Sequence, residues 1–238
     1  MPTTLIFDLD DTLYDEIDYC RSGFAAVAEY LSRKISAGDS FAVFNALWQE
    51  FTEGDRSRVF DKALSKLDLL PKNGCDEFIR SLVQVYRNHR PDIKLPPDSG
   101  KILQKLNGRY HLAMLTDGFL PSQRLKVEAL GIERYFEIVI YTEELGRENW
   151  KPSTAGFEKI IEYLGQPAGQ MAYIADNEAK DFIAPNKLGM TSIKITRPAG
   201  IHRGGWDHPQ ARPKYHITNI SELPALLAKV NQSTENTG

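Results

Sequence analysis

The sequence predicts an α/β protein: a parallel sheet flanked by helices, with a helical bundle inserted between the first two strands. Three observations carry that expectation. From about residue 97 onward, short β-branched runs alternate with helical stretches, the rhythm of right-handed βαβ crossovers. The first strand is separated from the others by about eighty residues of helical periodicity. Strand after strand ends in carboxylates or hydroxyls, at the edge where open α/β sheets gather their ligands.

Residues 3–7 show no polar alternation, as expected of a strand covered on both faces. The run stops at Asp8, followed by Asp10, Asp11 and Thr12. One reading makes an acid here the N-cap of the next helix, with Thr12 sharing the work. One carboxylate suffices for a cap, and there are three in four positions. The other reading sets Asp8 and Asp10 around a hard cation, Mg2+ above all, which is held by one or two carboxylates plus substrate phosphate and water.

Next, Ile17, Cys20, Phe24, Val27, Ala28, Leu31 and Ile35 recur at three and four, one helical stripe. Phe41, Phe44, Leu47, Trp48 and Phe51 mark a second helix. Phe60, Ala63, Leu64 and Leu67 mark a third, and Phe78, Leu82, Val85 and Tyr86 a fourth. The polar loop 53–58 carries Arg56 and Arg58, which would reach an anionic substrate if the bundle lay over the sheet; a solvated loop is the plainer reading. Pro96, Pro97 and Asp98 open a helix through Leu106, with proline and aspartate where helix entry favours them. Strands are then expected at 111–115, 137–141, 171–175 and 191–195, and helices at 123–130, 154–164 and 179–188. The expected domains are a core of residues 1–15 and 92–230, a helical cap of 16–91, and a flexible tail of 231–238.

If Asp8 marks a reactive edge, later strands should end in useful groups. The second ends in Thr116-Asp117-Gly118, which suits phosphate oxygens through a hydroxyl and close backbone N–H groups, or makes a simple turn. Lys151, ahead of a helix where the macrodipole disfavours a cation, either binds the same anion or is a solvated lysine. The fourth strand ends in Asp176, a carboxylate facing the first acids. Asp181 reads as a supporting group or as a helix N-cap. The basic stretch 197–205, which begins with Arg197, either contacts an anionic substrate or is a surface loop, the plainer reading.

Composition narrows the function. The 238 residues carry a net charge of -3 and a pI near 6.0, which offers no electrostatic footprint for nucleic acid or an anionic membrane. Cys20 and Cys75 form no CxxC pair, against a disulfide scaffold or zinc site. The five histidines lack metal-ligand spacing. There is no membrane-length apolar run or signal-peptide pattern, and a cytoplasmic enzyme of small metabolites is expected.

Taken in order, the acidic stretch Asp8-Leu9-Asp10-Asp11-Thr12-Leu13, then Thr116-Asp117-Gly118, Lys151-Pro152, and Asp176 to Asp181 resemble the haloacid dehalogenase superfamily of hydrolases. The resemblance covers roughly residues 3–197, and the helical insert is similar to the cap of the family's first subclass. It implies a Rossmann-like core with Asp8 as nucleophile and Asp10 as acid and base. Thr116, the amide of Asp117 or Gly118, and Lys151 would bind phosphate, and Mg2+ would be held by Asp8, the backbone carbonyl of Asp10, and Asp176. Asp10 favours a phosphatase over a dehalogenase, since a halide leaves without a proton. The expected substrate is a small phosphorylated metabolite, such as a sugar phosphate or a nucleotide monophosphate. A phosphomutase using the same acid pair and a non-catalytic phosphate-binding protein are the alternatives. There are three departures from the family pattern: Ala175 where glycine is usual, Ala184-Pro185 where Gly-Ala is frequent, and Asp117 in place of asparagine. The last requires its side chain to point away from phosphate or to be paired.

Overall fold

In the computed structural model, which describes residues 1–35, 39–202 and 208–235, β1 (Thr4–Phe7) lies inside a six-stranded parallel sheet. Its four residues are all buried, as a strand with neighbours on both edges and helices on both faces must be. The other strands are β2 (His111–Thr116), β3 (Ile138–Tyr141), β4 (Met171–Ala175), β5 (Thr191–Ile195) and β6 (Tyr215–Ile217), in the order β3-β2-β1-β4-β5-β6. The sequence reading has five strands; β6 has only three residues, too short for a periodicity signal. In register, Phe7 sits beside Met114 of β2 and Ile174 of β4. Asp8, Thr116 and Asp176 therefore come out at the carboxyl end of the sheet, beside β1, from which successive strands are added in opposite directions: β2 and β3 on one side, β4, β5 and β6 on the other.

The chain forms two compact units, Met1–Ile17 with Lys94–Gly238, and Asp18–Ile93. The second contains most of α1 (Glu16–Ile35), with α2 (Ser40–Glu53), α3 (Val59–Lys66) and α4 (Cys75–Asn88). Its centre is aromatic: Phe24 packs its ring against Phe51, Phe60 and Tyr86 at centroid distances of 5.3 to 6.0 Å, separations at which ring pairs add to plain burial. Phe41, assigned to the inner stripe of α2 by spacing, is 67% exposed. Leu47 and Phe51 of that stripe are buried, Phe44 and Trp48 are half-buried, and Val43 joins the inner face in place of Phe41.

The first unit adds α5 (Pro97–Leu106), α6 (Ser122–Leu130), α7 (Ala155–Leu164), α8 (Ile183–Lys187) and α9 (Leu223–Glu235). Ile6, Ala113, Leu115, Met171, Tyr173 and Ala175 from the sheet pack with Phe157 and Ile160 of α7 and with Phe182. Burying one such aromatic contributes about 1.5–3 kcal/mol. Helix α8 is shorter than the 179–188 of the sequence reading, because a helix begun at 179 would put Pro185 in its interior. Starting at Ile183 leaves the proline in the first turn, where no N–H is needed. Helix α9 runs through Glu235, five residues into the stretch read as a flexible tail, and residues 236–238 lie outside the described ones. No disulfide joins Cys20 and Cys75. Among the described residues no helix is long and apolar enough to cross a membrane.

Candidate active site

The chain leaves β1 at Asp8, whose backbone N–H donates to the Ile174 carbonyl at 2.9 Å, carrying the ladder with β4 one residue further. The Asp8 side chain is buried and accepts from Lys151 Nζ at 2.9 Å. Lys151 reaches this point from the segment after β3, and its ammonium is also 2.7 Å from Asp181 Oδ1 and 2.9 Å from the Tyr173 hydroxyl. An ammonium with 1% side-chain exposure is tolerable only with such partners. Burial opposes its charge, but Asp181 and Asp8 outweigh burial and raise its pKa well above the usual lysine range. The solvated-lysine reading of Lys151 is therefore set aside.

Asp8, Asp176 and Asp181 each place a carboxylate oxygen within 4.8 Å of the other two. Burial, with Asp181 adding to it and Lys151 opposing, pushes Asp8 up to about 6. Burial followed by the charges of Asp181 and Asp8 pushes Asp176 up to about 9. Asp181 goes the other way: burial would raise it, but Lys151 and Lys180 hold it below the usual carboxylate range. Among the described residues Asp176 makes no ion pair. Three converging oxygen ligands with excess negative charge suit a hard divalent cation, so the residues present fit the Mg2+ expected from sequence. Asp181, left between supporting group and helix cap, is fully buried within the cluster, while the Asp10 side chain is outside it.

Asp10 is held elsewhere by four hydrogen bonds. Tyr14 and Lys126 donate to Oδ1 at 2.5 and 2.8 Å, and Gln123 and Lys126 to Oδ2, both at 2.9 Å. Burial alone would raise its pKa; Lys126 and these hydrogen bonds bring it below the ordinary value. Asp11 performs the capping that the sequence left open. At a positive φ of 50°, which aspartate tolerates better than most residues, its Oδ1 accepts from the N–H of Glu16, the first residue of α1, and its Oδ2 from the N–H of Ile201.

At the end of β2, Thr116 is buried and its hydroxyl accepts from Gln123 Nε2 at 2.6 Å. The Asp117 side chain is paired: it accepts from Thr142 Oγ1 at 2.8 Å and from the Lys151 N–H at 3.2 Å, with Lys180 Nζ at 3.5 Å. Its extra negative charge relative to asparagine is thereby compensated. Gly118 has φ +143°, and a Cβ there would lie 2.8 Å from Gln123 Cδ, so this turn admits only glycine. Arg56 donates to the Phe51 carbonyl at 3.1 Å, and Arg58 pairs with Asp61 at 3.6 Å. Arg197 pairs with Asp15; of the loop beyond it, residues 203–205 lie outside the described ones. A cavity of about 350 Å3 opens beside Asp176, lined also by Asp11, Lys194, Arg197 and His202.

Gln123, Lys126, Tyr173 and Lys180 were not singled out by sequence. A lysine in a helix ordinarily reads as solvated, and a tyrosine in an apolar strand as core. One signal was present: Gln123, Lys126 and Leu130 fall at helical spacing on one face, with polar groups where periodicity calls for apolar ones.

The family model described as haloacid dehalogenase-like hydrolase matches residues 2–189. The chain is 28% identical over 240 residues to a glyceraldehyde 3-phosphate phosphatase of Methanocaldococcus jannaschii, covering 96% of this chain and 98% of that protein. It is 25% identical over 256 residues to a phosphoserine phosphatase of Thermus thermophilus, covering 92% and 96%. Among solved structures, a 2-haloacid dehalogenase from Pseudomonas syringae superposes with a TM-score of 0.65 at 24% identity, covering 96% and 99%, a likeness of fold.

Proposed function

The chain belongs to the haloacid dehalogenase-like hydrolases, and on that premise we propose that it is a Mg2+-dependent phosphatase acting on a small phosphorylated metabolite. The observation that carries the reading is the Asp8 carboxylate: buried at the end of β1, 2.9 Å from a buried ammonium and grouped with Asp176 and Asp181. That environment suits a nucleophile approaching an anionic phosphoryl group. The phosphatase names of the M. jannaschii and T. thermophilus relatives support the same substrate class.

In this reading an Asp8 oxygen attacks phosphorus, and the bond to the ester oxygen breaks. Asp10, ionised in the resting site, takes up a proton as the phosphate ester binds, gives it to that oxygen, then takes one from the water that hydrolyses the aspartyl-phosphate. Lys151, the Thr116 hydroxyl and the backbone N–H of Asp117 or Gly118 hold the phosphoryl oxygens. Asp8, Asp176 and the backbone carbonyl of Asp10, with Asp181 beside them, would hold Mg2+. When bound, the cation supplies positive charge that offsets repulsion between carboxylate and phosphate. Asp10 favours this chemistry over dehalogenation, where no leaving group needs a proton. The Cys20 and Cys75 thiols and a metabolite substrate fit a reducing cytoplasm.

The test is a panel of sugar phosphates, nucleotide monophosphates and other phosphorylated metabolites, assayed for inorganic phosphate with and without Mg2+. Release that requires the cation is expected, and Asp8→Asn should lower kcat by on the order of a thousandfold or more while the circular dichroism spectrum is unchanged. An isomerised phosphate ester in place of inorganic phosphate would make the protein a mutase. Full activity in Asp8→Asn would remove the nucleophile assignment.

A further inference from the structure

Helix α6 buries Ser122, Gln123, Lys126, Val127 and Leu130, so two strongly polar side chains occupy the face a helix keeps for its core. Lys126 is 3% exposed and Gln123 2%. An ammonium there must have a resident anion, and that anion is Asp10: Lys126 Nζ bridges both carboxylate oxygens, at 2.8 and 2.9 Å. Glu16 is further off, at 3.8 Å. Gln123 Nε2 lies 2.9 Å from Asp10 Oδ2 and 2.6 Å from Thr116 Oγ1. An ionised carboxylate only accepts hydrogen bonds, so the amide nitrogen must face it. Its two hydrogens serve the two oxygens. Thr116, having accepted one, keeps its own hydroxyl hydrogen to donate, as a group holding a phosphoryl oxygen must. Gly118 clears the space for this amide, since any Cβ would collide with it.

We infer that Gln123 and Lys126 are positioning residues, holding the Asp10 carboxylate and the Thr116 hydroxyl in one register from a single helix. The inference rests on the reading of Asp10 as the acid that protonates the leaving group. Both groups must meet the same substrate, one at the ester oxygen and one at a phosphoryl oxygen, and placement errors near an ångström are costly in such sites. Tyr14, four residues after Asp10, donates to the same carboxylate from its own segment.

The 238-residue chain is assayed in Mg2+ with two esters: phenyl phosphate, whose departing oxygen needs a proton, and dinitrophenyl phosphate, whose departing anion needs none. Because kcat/KM reports events up to cleavage of the ester, a displaced Asp10 penalises only the first. Lys126→Met and Gln123→Leu are each expected to widen the ratio of kcat/KM for dinitrophenyl over phenyl phosphate by roughly ten- to a hundredfold. Lys126→Arg, which keeps the charge, should recover most of that ratio. An unchanged ratio overturns the inference, whatever the absolute rates, because a purely structural role slows both esters alike. Should Lys126→Met fail to fold, Gln123→Leu, which removes no charge, carries the same comparison. Failure of the unaltered chain to hydrolyse either ester would instead overturn the phosphatase reading, and this inference with it.

Discussion

Asp8, Asp10 and Asp11 sit within four positions and differ only in what surrounds them. Asp8 faces Lys151 and two acids, Asp10 is held by Lys126, Gln123 and Tyr14, and Asp11 takes two backbone N–H groups. The crowding was legible because acids at a strand's carboxyl end are conspicuous. Their division of labour was not, because Lys126 and Gln123 lie more than a hundred residues further along on a helix whose polar positions look like surface. A smaller effect belongs to this scale. His202 lies 3.4 Å from Glu16, whose hydrogen bond raises the histidine's pKa against the opposing effect of burial. A histidine raised on folding contributes stability below its unfolded pKa and loses it as pH rises through the folded value. The side chain is 49% exposed, so solvent screening keeps the contribution below about 1 kcal/mol. Melting curves of His202→Gln should therefore fall about 1–3 °C below the parent near pH 5.5 and coincide with it near pH 8.5. Equal differences at both values would remove Glu16 as the cause.

Helix α7 shows how closely an element meets the sheet. A Cβ on Gly156 would fall well inside van der Waals contact with Leu115 Cδ1 of β2. Alanine improves helix propensity by about 1 kcal/mol over glycine, whereas overpacking a filled core costs about 1–3 kcal/mol. Leu115 is fully buried with little room to yield, so the packing term should win. Urea denaturation of Gly156→Ala is expected to show net destabilisation of up to about 2 kcal/mol; a stabilised variant would mean that Leu115 re-packs freely. Helix α1 was readable from its spacing and β4 from its unbroken apolar run. Those that were misread have local causes: the brevity of β6, Pro185 at the start of α8, and the aromatics of α2, of which Phe41 faces outward.

For the whole molecule, Asp8, Asp176 and Asp181 are brought together by two strands and a turn at the cost of mutual repulsion, which a bound cation would relieve. A ligand that binds only the folded state stabilises it, by about 2.7 kcal/mol at a hundredfold excess over Kd. Millimolar Mg2+ should accordingly raise Tm by several degrees, roughly 5–11 °C at that excess, and Asp176→Asn should abolish most of the rise. An undiminished shift in the variant would place the cation elsewhere. The order of the sheet has a consequence for synthesis. β1 pairs on one side with β2 and on the other with β4, with Thr4 opposite His111 and Met171. On the ribosome, this apolar segment waits roughly a hundred residues for its first neighbour and about a hundred and sixty for its second. At roughly 5–20 residues per second, the wait for the second partner lasts on the order of ten to thirty seconds. Throughout that interval the nascent chain exposes an adhesive edge, and Asp8 stands without the partners that surround it in the finished sheet.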